Sequence, residues 1–296
     1  MKRAKIERIL CPVDFSGFSV RAYAYASSLA VHYGARLFVQ HVVEPWQYPS
    51  ASFAPTVDEY QKFCAALIAE SKEKLHRFIQ SHAKDGITPQ AVVSEKMAAD
   101  GILHFAKEHL VNLIVMGTHG LRGFERLMLG SVTEKVMRMA RCPVLAIPEP
   151  APEAAASATS IDTLEIRRII ACTDFSESAN EALDYAISVA EEYNANLTLV
   201  HVVERVSTLE CEEDTANAYK RLDELIPAQT RLGSRITTAV RIGKAYREII
   251  HFVRENHADL AIMAVRGRNS LDETIFGSTT YRVLQSGACA VLAVRP

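Results

Sequence analysis

Nowhere do the 296 residues hold an apolar run approaching the ~18 residues that a membrane-spanning helix needs, which excludes an integral helical membrane protein. Charge of one sign is also scarce. The formal net charge is −2, which leaves no basic surface for nucleic acid and no polybasic membrane patch. Cysteine is sparse and unpatterned: Cys11, Cys64, Cys142, Cys172, Cys211 and Cys289 include no C-x-x-C pair. Most of them sit in apolar runs, where reduced, buried thiols are commonplace. The opening MKRAKIERIL carries basic residues, but Glu7 interrupts it and the apolar run ends by Asp14, so it does not read as a secretion signal. These absences lead us to expect a cytoplasmic protein. What is present, 49% hydrophobic and 23% charged residues, is the composition of a globular chain with core enough for two domains.

The chain is a duplicate. Residues 7–44 align without gaps on residues 167–204, with seventeen of 38 positions identical at an offset of 160. The match returns at an offset of 147, where NLIVMGTHG (112–120) lies on DLAIMAVRG (259–267), and continues to CPVLAI (142–147) on CAVLAV (289–294). The second copy is therefore thirteen residues shorter in its middle. We expect that difference after the second strand, where the first copy carries PWQYPSASFAP. The division is a first domain over 1–148, a Pro/Ala/Ser-rich linker over 149–164 and a second domain over 165–296.

Each copy alternates short apolar runs with amphipathic helices. In the first, RILCPV, ARLFVQHVV, PQAVVS, VNLIVMG and CPVLAI read as strands, with helices over about 18–33, 57–81 and 99–109 and one entered at Ser131. Strands buried on both faces and joined by crossover helices imply a parallel sheet. The fold class is α/β: two tandem, doubly wound, five-stranded, Rossmann-like domains of strand order 3-2-1-4-5. The switch point then lies between the first and fourth strands, where ligands bind outside the carboxyl ends. PVDFS (12–16) and GTHGLRG (117–123) end those two strands, so the topology places them side by side.

Residues 117–135, GTHGLRGFERLMLGSVTEK, hold four glycines and a Gly-Ser step. Glycines permit φ > 0 and let backbone N–H groups approach an anion without a Cβ in the way. Gly130-Ser131 at a helix start adds free amides, the positive end of the dipole, and the hydroxyls of Ser131 and Thr133. The plainer alternative is that Gly130 ends a loop and Ser131 caps a helix.

Gly117-x2-Gly120-x9-Gly130-Ser131 matches the ATP-binding pattern G-x2-G-x9-G-[ST] of the universal stress protein family. The flanking segments RILCPVDFS and CPVLAI agree with it, and the resemblance covers essentially both halves, so the chain resembles a tandem universal stress protein. That resemblance implies roles. Pro12, Val13 and Asp14 would lie against ribose and adenine, Val42 would offer backbone contacts to the adenine edge, and Met116 would pack nearby. Gly117, Gly120, Gly130, Ser131, Val132 and Thr133 would surround the phosphates, with His119 and Arg122 on the same loop. Asp14 also reads as a carboxylate capping the turn into the first helix, and Arg122 as a solvated charge.

The second copy departs from the pattern. Its corresponding residues are Thr173, Asp174, Val202, Ala264, Arg266, Gly267, Arg268, Gly277, Ser278, Thr279 and Thr280. Ala264 replaces the first glycine; alanine tolerates positive φ poorly, and its methyl group would crowd a ligand. Arg266 and Arg268 either bind phosphate directly or pair with Asp272 or Glu273. We expect nucleotide in the first domain and a weakened, altered or empty second site.

His41 and His201 occupy equivalent places in the two HVVE segments. Without acidic or cysteine partners at ligand spacing they read as hydrogen-bonded structural residues, and we name no metal site. No catalytic residue stands out either. G-x-x-x-x-G-K-[ST] is absent, and with it the lysine clamp on β/γ phosphates. No carboxylate pair for Mg²⁺ and no general base is evident, although a bound ATP–Mg²⁺ complex can hydrolyse slowly by positioning alone. The expected ligand is ATP, ADP or AMP. The expected role is a nucleotide-regulated binding or signalling module in stress response, with a protein partner that the sequence does not name. A slow ATPase and a scaffold with one sensing half stay open. The family resemblance implies that CPVLAI and CAVLAV pair within the chain as an intramolecular pseudo-dimer, leaving association of two chains open.

Overall fold

The computed structural model describes residues 6–45, 56–120, 129–148, 165–204, 211–266 and 277–295. The 149–164 linker therefore lies outside the described residues. In the first half the order is β1 (Arg8–Pro12), α1 (Gly17–Tyr33), β2 (Arg36–Val43), α2 (Val57–Ser81), β3 (Gln90–Glu95), α3 (Ala98–Glu108), β4 (Leu113–Gly117), α4 (Ser131–Met139) and β5 (Val144–Ile147). The second half repeats it with β6 (Arg168–Cys172), α5 (Glu177–Tyr193), β7 (Asn196–Val203), α6 (Cys211–Glu224), β8 (Ile236–Ile242), α7 (Ala245–Glu255), β9 (Leu260–Ala264), α8 (Ser278–Ser286) and β10 (Ala290–Val294).

The ten strands form one sheet in the order β3-β2-β1-β4-β5-β10-β9-β6-β7-β8. Each half is parallel and of order 3-2-1-4-5, as the pattern of apolar runs implies. Among the described residues the only antiparallel pairing is the seam, where Leu292 faces Leu145 and the final strands of the two halves meet. Because alternate residues of a strand point to opposite faces, β1 sends Ile9 and Cys11 into one apolar layer and Leu10 into the other. Both layers run through residues of both halves, so the core does not stop at the seam.

The helix ends repeat as faithfully as the strands. Ser16 caps α1 by accepting from the Ser19 amide, and Ser176 caps α5 by accepting from Ala179. Gly34 and Asn194 close the same helices in the left-handed conformation, φ +61° and +55°. The thirteen-residue difference is not confined to the connection after the second strand. α2 has 25 residues and its counterpart α6 has 14, so the helix itself carries most of it. No described helix is long and apolar enough to cross a membrane.

The buried Cys11 and the half-buried Cys142, Cys172 and Cys289 supply a first prediction. Burial pushes Cys142, Cys172 and Cys289 up to about 12 and raises Cys11 as well. Since the thiolate is the reactive form, native protein at pH 8 should label at these four positions roughly a thousandfold more slowly than a free thiol. Peptide mapping after timed alkylation, with and without denaturant, measures this; labelling at free-thiol rates would show that these side chains are not enclosed.

Candidate functional site

The switch point brings the end of β1 against the end of β4. After β1, Val13 is still tied to the sheet by its amide, 2.8 Å from the Gln40 carbonyl. Asp14 then turns inward. Its Oδ1 accepts from the Ser16 amide at 3.1 Å and from the Ser16 and Ser19 hydroxyls at 2.6 Å each, while the Asp14 amide donates to Ser19 Oγ at 2.9 Å. The turn-capping reading of Asp14 therefore holds for this oxygen. Phe15 follows with φ 66°, a left-handed conformation that costs a non-glycine residue roughly 1–2 kcal/mol. The network of Asp14, Ser16 and Ser19 holds that strained corner in place. The other oxygen, Oδ2, faces Gly120, where an added Cβ would stand only 2.5 Å away.

At the end of β4, Gly117, Gly120 and Gly130 serve close approach, one of the two glycine roles that the sequence leaves open. Gly117, Gly120 and Gly130 are absent from the left-handed residues, and so is Ala264. A Cβ on Gly117 would meet Phe18 Cβ at 2.8 Å and the His119 carbonyl at 3.2 Å. The loop is closed at its base by the Gly130 amide donating to the Thr118 carbonyl at 2.9 Å.

Beyond the loop, Gly130 is the N-cap of α4 and makes no side-chain cap; Ser131 is the first helical residue and is exposed. Ser131 is thus not the helix cap, and the amides of the first turn have no partners within the helix. Thr133 is spent otherwise than expected: it is buried, and its hydroxyl donates to the Gly117 carbonyl at 2.9 Å, tying α4 to the end of β4. Val132 is half-buried beside it. His119 packs on Phe18, ring centroids 5.3 Å apart, and its Nδ1 meets Thr118 Oγ1 at 2.9 Å. Its Nε2 is buried and has no hydrogen-bond partner. An orphaned polar atom beside an uncapped helix start fits a ligand with hydrogen-bonding oxygens. Arg122 lies outside the described residues.

On the other side of β1, Gly101 of α3 lets Val42 pack closely, since a Cβ there would come within 3.0 Å of Val42 Cγ1. Met116 is buried in the same layer, and Pro12 ends β1. His41 donates from Nδ1 to the Val13 carbonyl at 2.8 Å, and His201 does the same to Thr173 at 2.8 Å, so both are structural residues as the sequence implies. His41 is held below the ordinary imidazole range, chiefly by burial; the Val13 bond opposes this, Lys74 adds to it and Asp14 opposes it. The folded state thus favours neutral His41, whereas the unfolded chain takes up its proton near pH 6.5. Stability should fall as pH drops from about 6.5 toward the lower folded value, because the unfolded state then binds more protons. His41→Gln should flatten that slope, which chemical denaturation of both proteins at pH 7.5 and 5.5 would reveal.

The second half keeps the frame. The Gly277 amide donates to the Val265 carbonyl at 2.9 Å, and Thr280 donates to the Ala264 carbonyl at 2.9 Å, repeating the closures of the first half. Asp174 Oδ1 accepts from the Ser176 amide at 3.0 Å, Phe175 repeats the strained φ at 61°, and its amide donates to Thr173 Oγ1. Ser278 is exposed at the helix start and Thr279 is half-buried. Gly267 and Arg268 lie outside the described residues.

Ala264 is buried at the end of β9. Ser178 stands where the first half has Phe18, but serine keeps the Cβ that a side chain on Gly117 would meet, so this exchange alone does not account for the alanine. The larger change lies along α7. Tyr246, Arg247 and Glu248 replace Ala99, Asp100 and Gly101, and Arg282 replaces Lys135. In the first half Lys135 and Asp100 pair at 2.7 Å. In the second, Arg282 and Arg247 both face Tyr246, 4.4 and 5.8 Å from its ring centroid, and Arg247 Nε donates to its hydroxyl at 3.0 Å. The offset of 147, carried along the third helix, discloses this exchange in the sequence itself. The hydroxyls of Ser16 and Ser19 and the Phe18–Gly117 contact were likewise missed.

Fold and site together define a tandem, doubly wound α/β protein with closely packed glycines at the switch point of its first half and an altered copy in its second. The model of the universal stress protein family matches residues 5–148 and again 165–295, and the chain belongs to that family in tandem-domain form. A universal stress protein of Methanocaldococcus jannaschii is 31% identical over 147 residues, covering 50% of this chain and 85% of its own. One from Mycolicibacterium smegmatis is 24% identical over 297 residues and covers 97% of both chains. Among solved structures, a universal stress protein from Archaeoglobus fulgidus shares the fold with a TM-score of 0.67 at 20% identity, over 97% of this chain and 98% of that one.

Proposed function

We propose that the first half binds one adenine nucleotide, ATP or its ADP and AMP products, at the switch point, and that the chain acts in the cytoplasm as a nucleotide-regulated binding or signalling module in stress response. The observation that carries this reading is the junction of Asp14, Gly120 and the start of α4. A carboxylate locked by Ser16 and Ser19 abuts the glycine, beside an exposed Ser131, uncapped first-turn amides and the orphaned Nε2 of His119. Helix amides and the Ser131 hydroxyl suit phosphate oxygens. Asp14 suits the ribose hydroxyls, and the Val13–Val42 side suits the flat base. The second half is altered along α7, where Tyr246 and Glu248 replace Ala99 and Gly101, the glycine that packs on Val42 in the first half.

The test is to denature purified protein, identify released small molecules by chromatography and mass spectrometry, and titrate the emptied protein with ATP, ADP and AMP. One adenine nucleotide per chain supports the reading. Two per chain would show that the second half binds as well. None released, and none taken up at millimolar concentration, would sink it.

A further inference from the structure

Away from the switch points, at the amino ends of β4 and β9, a crevice of about 120 Å³ lies between the two halves under α1 and α5. It follows the internal symmetry of the chain. Tyr25, Leu29 and Tyr33 of α1 line one wall, and their counterparts Tyr185, Val189 and Tyr193 of α5 line the other. The lining is predominantly apolar. The acidic groups at its edge are engaged: Asp259 Oδ2 accepts from the Arg167 and Arg168 amides at 2.9 and 2.8 Å, and Glu165 pairs with Arg167. An anionic ligand would find no basic side chain among the lining residues. One polar group is left over. The Tyr193 hydroxyl is buried and makes no well-formed hydrogen bond among the described residues, although it approaches the Tyr33 hydroxyl; its ring is stacked on His32 at 4.4 Å and stands edge-on to Tyr33 at 6.2 Å.

We propose that this crevice is a binding site for a small, uncharged, planar aromatic molecule carrying one hydroxyl or carbonyl oxygen. Its size is right: a cavity of ~150 Å³ with an apolar lining stays dry and takes up benzene. The tyrosine walls favour a flat ring by stacking and edge contacts. The Tyr193 O–H donates to the ligand oxygen, which satisfies an otherwise costly buried group. The ligand touches both halves beside the β5–β10 seam, so its binding clamps them together. This site is independent of the nucleotide reading.

The full-length protein is titrated with phenol and with benzene by calorimetry. We expect saturable 1:1 binding of both, with phenol roughly tenfold tighter, as one hydrogen bond to a buried donor allows. Val189→Phe fills the crevice and should abolish binding of both probes while leaving the melting profile cooperative. Tyr193→Phe should keep benzene affinity and erase the preference for phenol. Absence of saturable binding overturns the proposal, as does binding that survives Val189→Phe, or equal affinity of the wild type for the two probes. Should Val189→Phe fail to fold, the phenol-to-benzene ratio in Tyr193→Phe decides alone: a ratio unchanged from wild type overturns it.

Discussion

Gly120→Ala is expected to weaken nucleotide binding to the emptied protein by at least about tenfold, and Gly120→Val to abolish it. The alanine methyl would stand 2.5 Å from Asp14 Oδ2 and 3.6 Å from its Cγ. Real Cβ atoms do not approach an oxygen so closely, so either the carboxylate or the loop must move. The carboxylate is not free to swing, because Oδ1 holds two hydroxyls and an amide. Moving it would also release the strained Phe15 corner. The loop therefore gives way, and Gly120 is displaced from the place where it meets the β1 corner. Overpacking of this kind costs about 1–3 kcal/mol, and 1.4 kcal/mol is a factor of ten in affinity. Calorimetric titration with ATP, beside a melting curve to establish folding, measures it. Wild-type affinity in Gly120→Val would mean that the nucleotide lies elsewhere.

The second large effect concerns stability. Gly117→Ala should destabilise the protein by about 1–3 kcal/mol, since its Cβ would meet Phe18 Cβ at 2.8 Å and neither atom can rotate away. Phe18→Ser should recover little of that loss, because serine keeps the Cβ that the alanine methyl meets, whereas Phe18→Gly, which removes that atom, should recover more. Residues in direct contact couple by about 0.5–3 kcal/mol in a double-mutant cycle. Chemical denaturation of each single and double variant gives the coupling. Additivity of Gly117→Ala with Phe18→Gly would show that this contact does not carry the cost.

Much of this was legible without coordinates. The offsets of 160 and 147 disclosed the duplication, and apolar runs alternating with amphipathic helices implied two parallel, doubly wound sheets. Topology then placed PVDFS against GTHGLRG. Those inferences succeed because burial imposes a period on the sequence, and a period can be read along a chain. The place of the glycine loop after the fourth strand was legible, but not which of the two uses of glycine, φ > 0 or close approach, it makes. Glycine is needed both for φ > 0 and for close packing, and sequence does not distinguish the two. Thr133 shows the same limit. Its hydroxyl reads as a phosphate donor, but folding places it against the Gly117 carbonyl, a partner sixteen residues away.

By itself, then, the sequence determined the repeat, the fold class, the sheet order and the motif that marks the family. All of these follow from local spacing and from the hydrophobic period. Tertiary structure alone decided which hydroxyls are spent on the frame, that Phe18 Cβ stands too close to Gly117 for a side chain there, and that the chain holds a tyrosine-lined crevice between its halves. Each depends on residues distant in the chain meeting within a few ångströms, and such distances are set by packing.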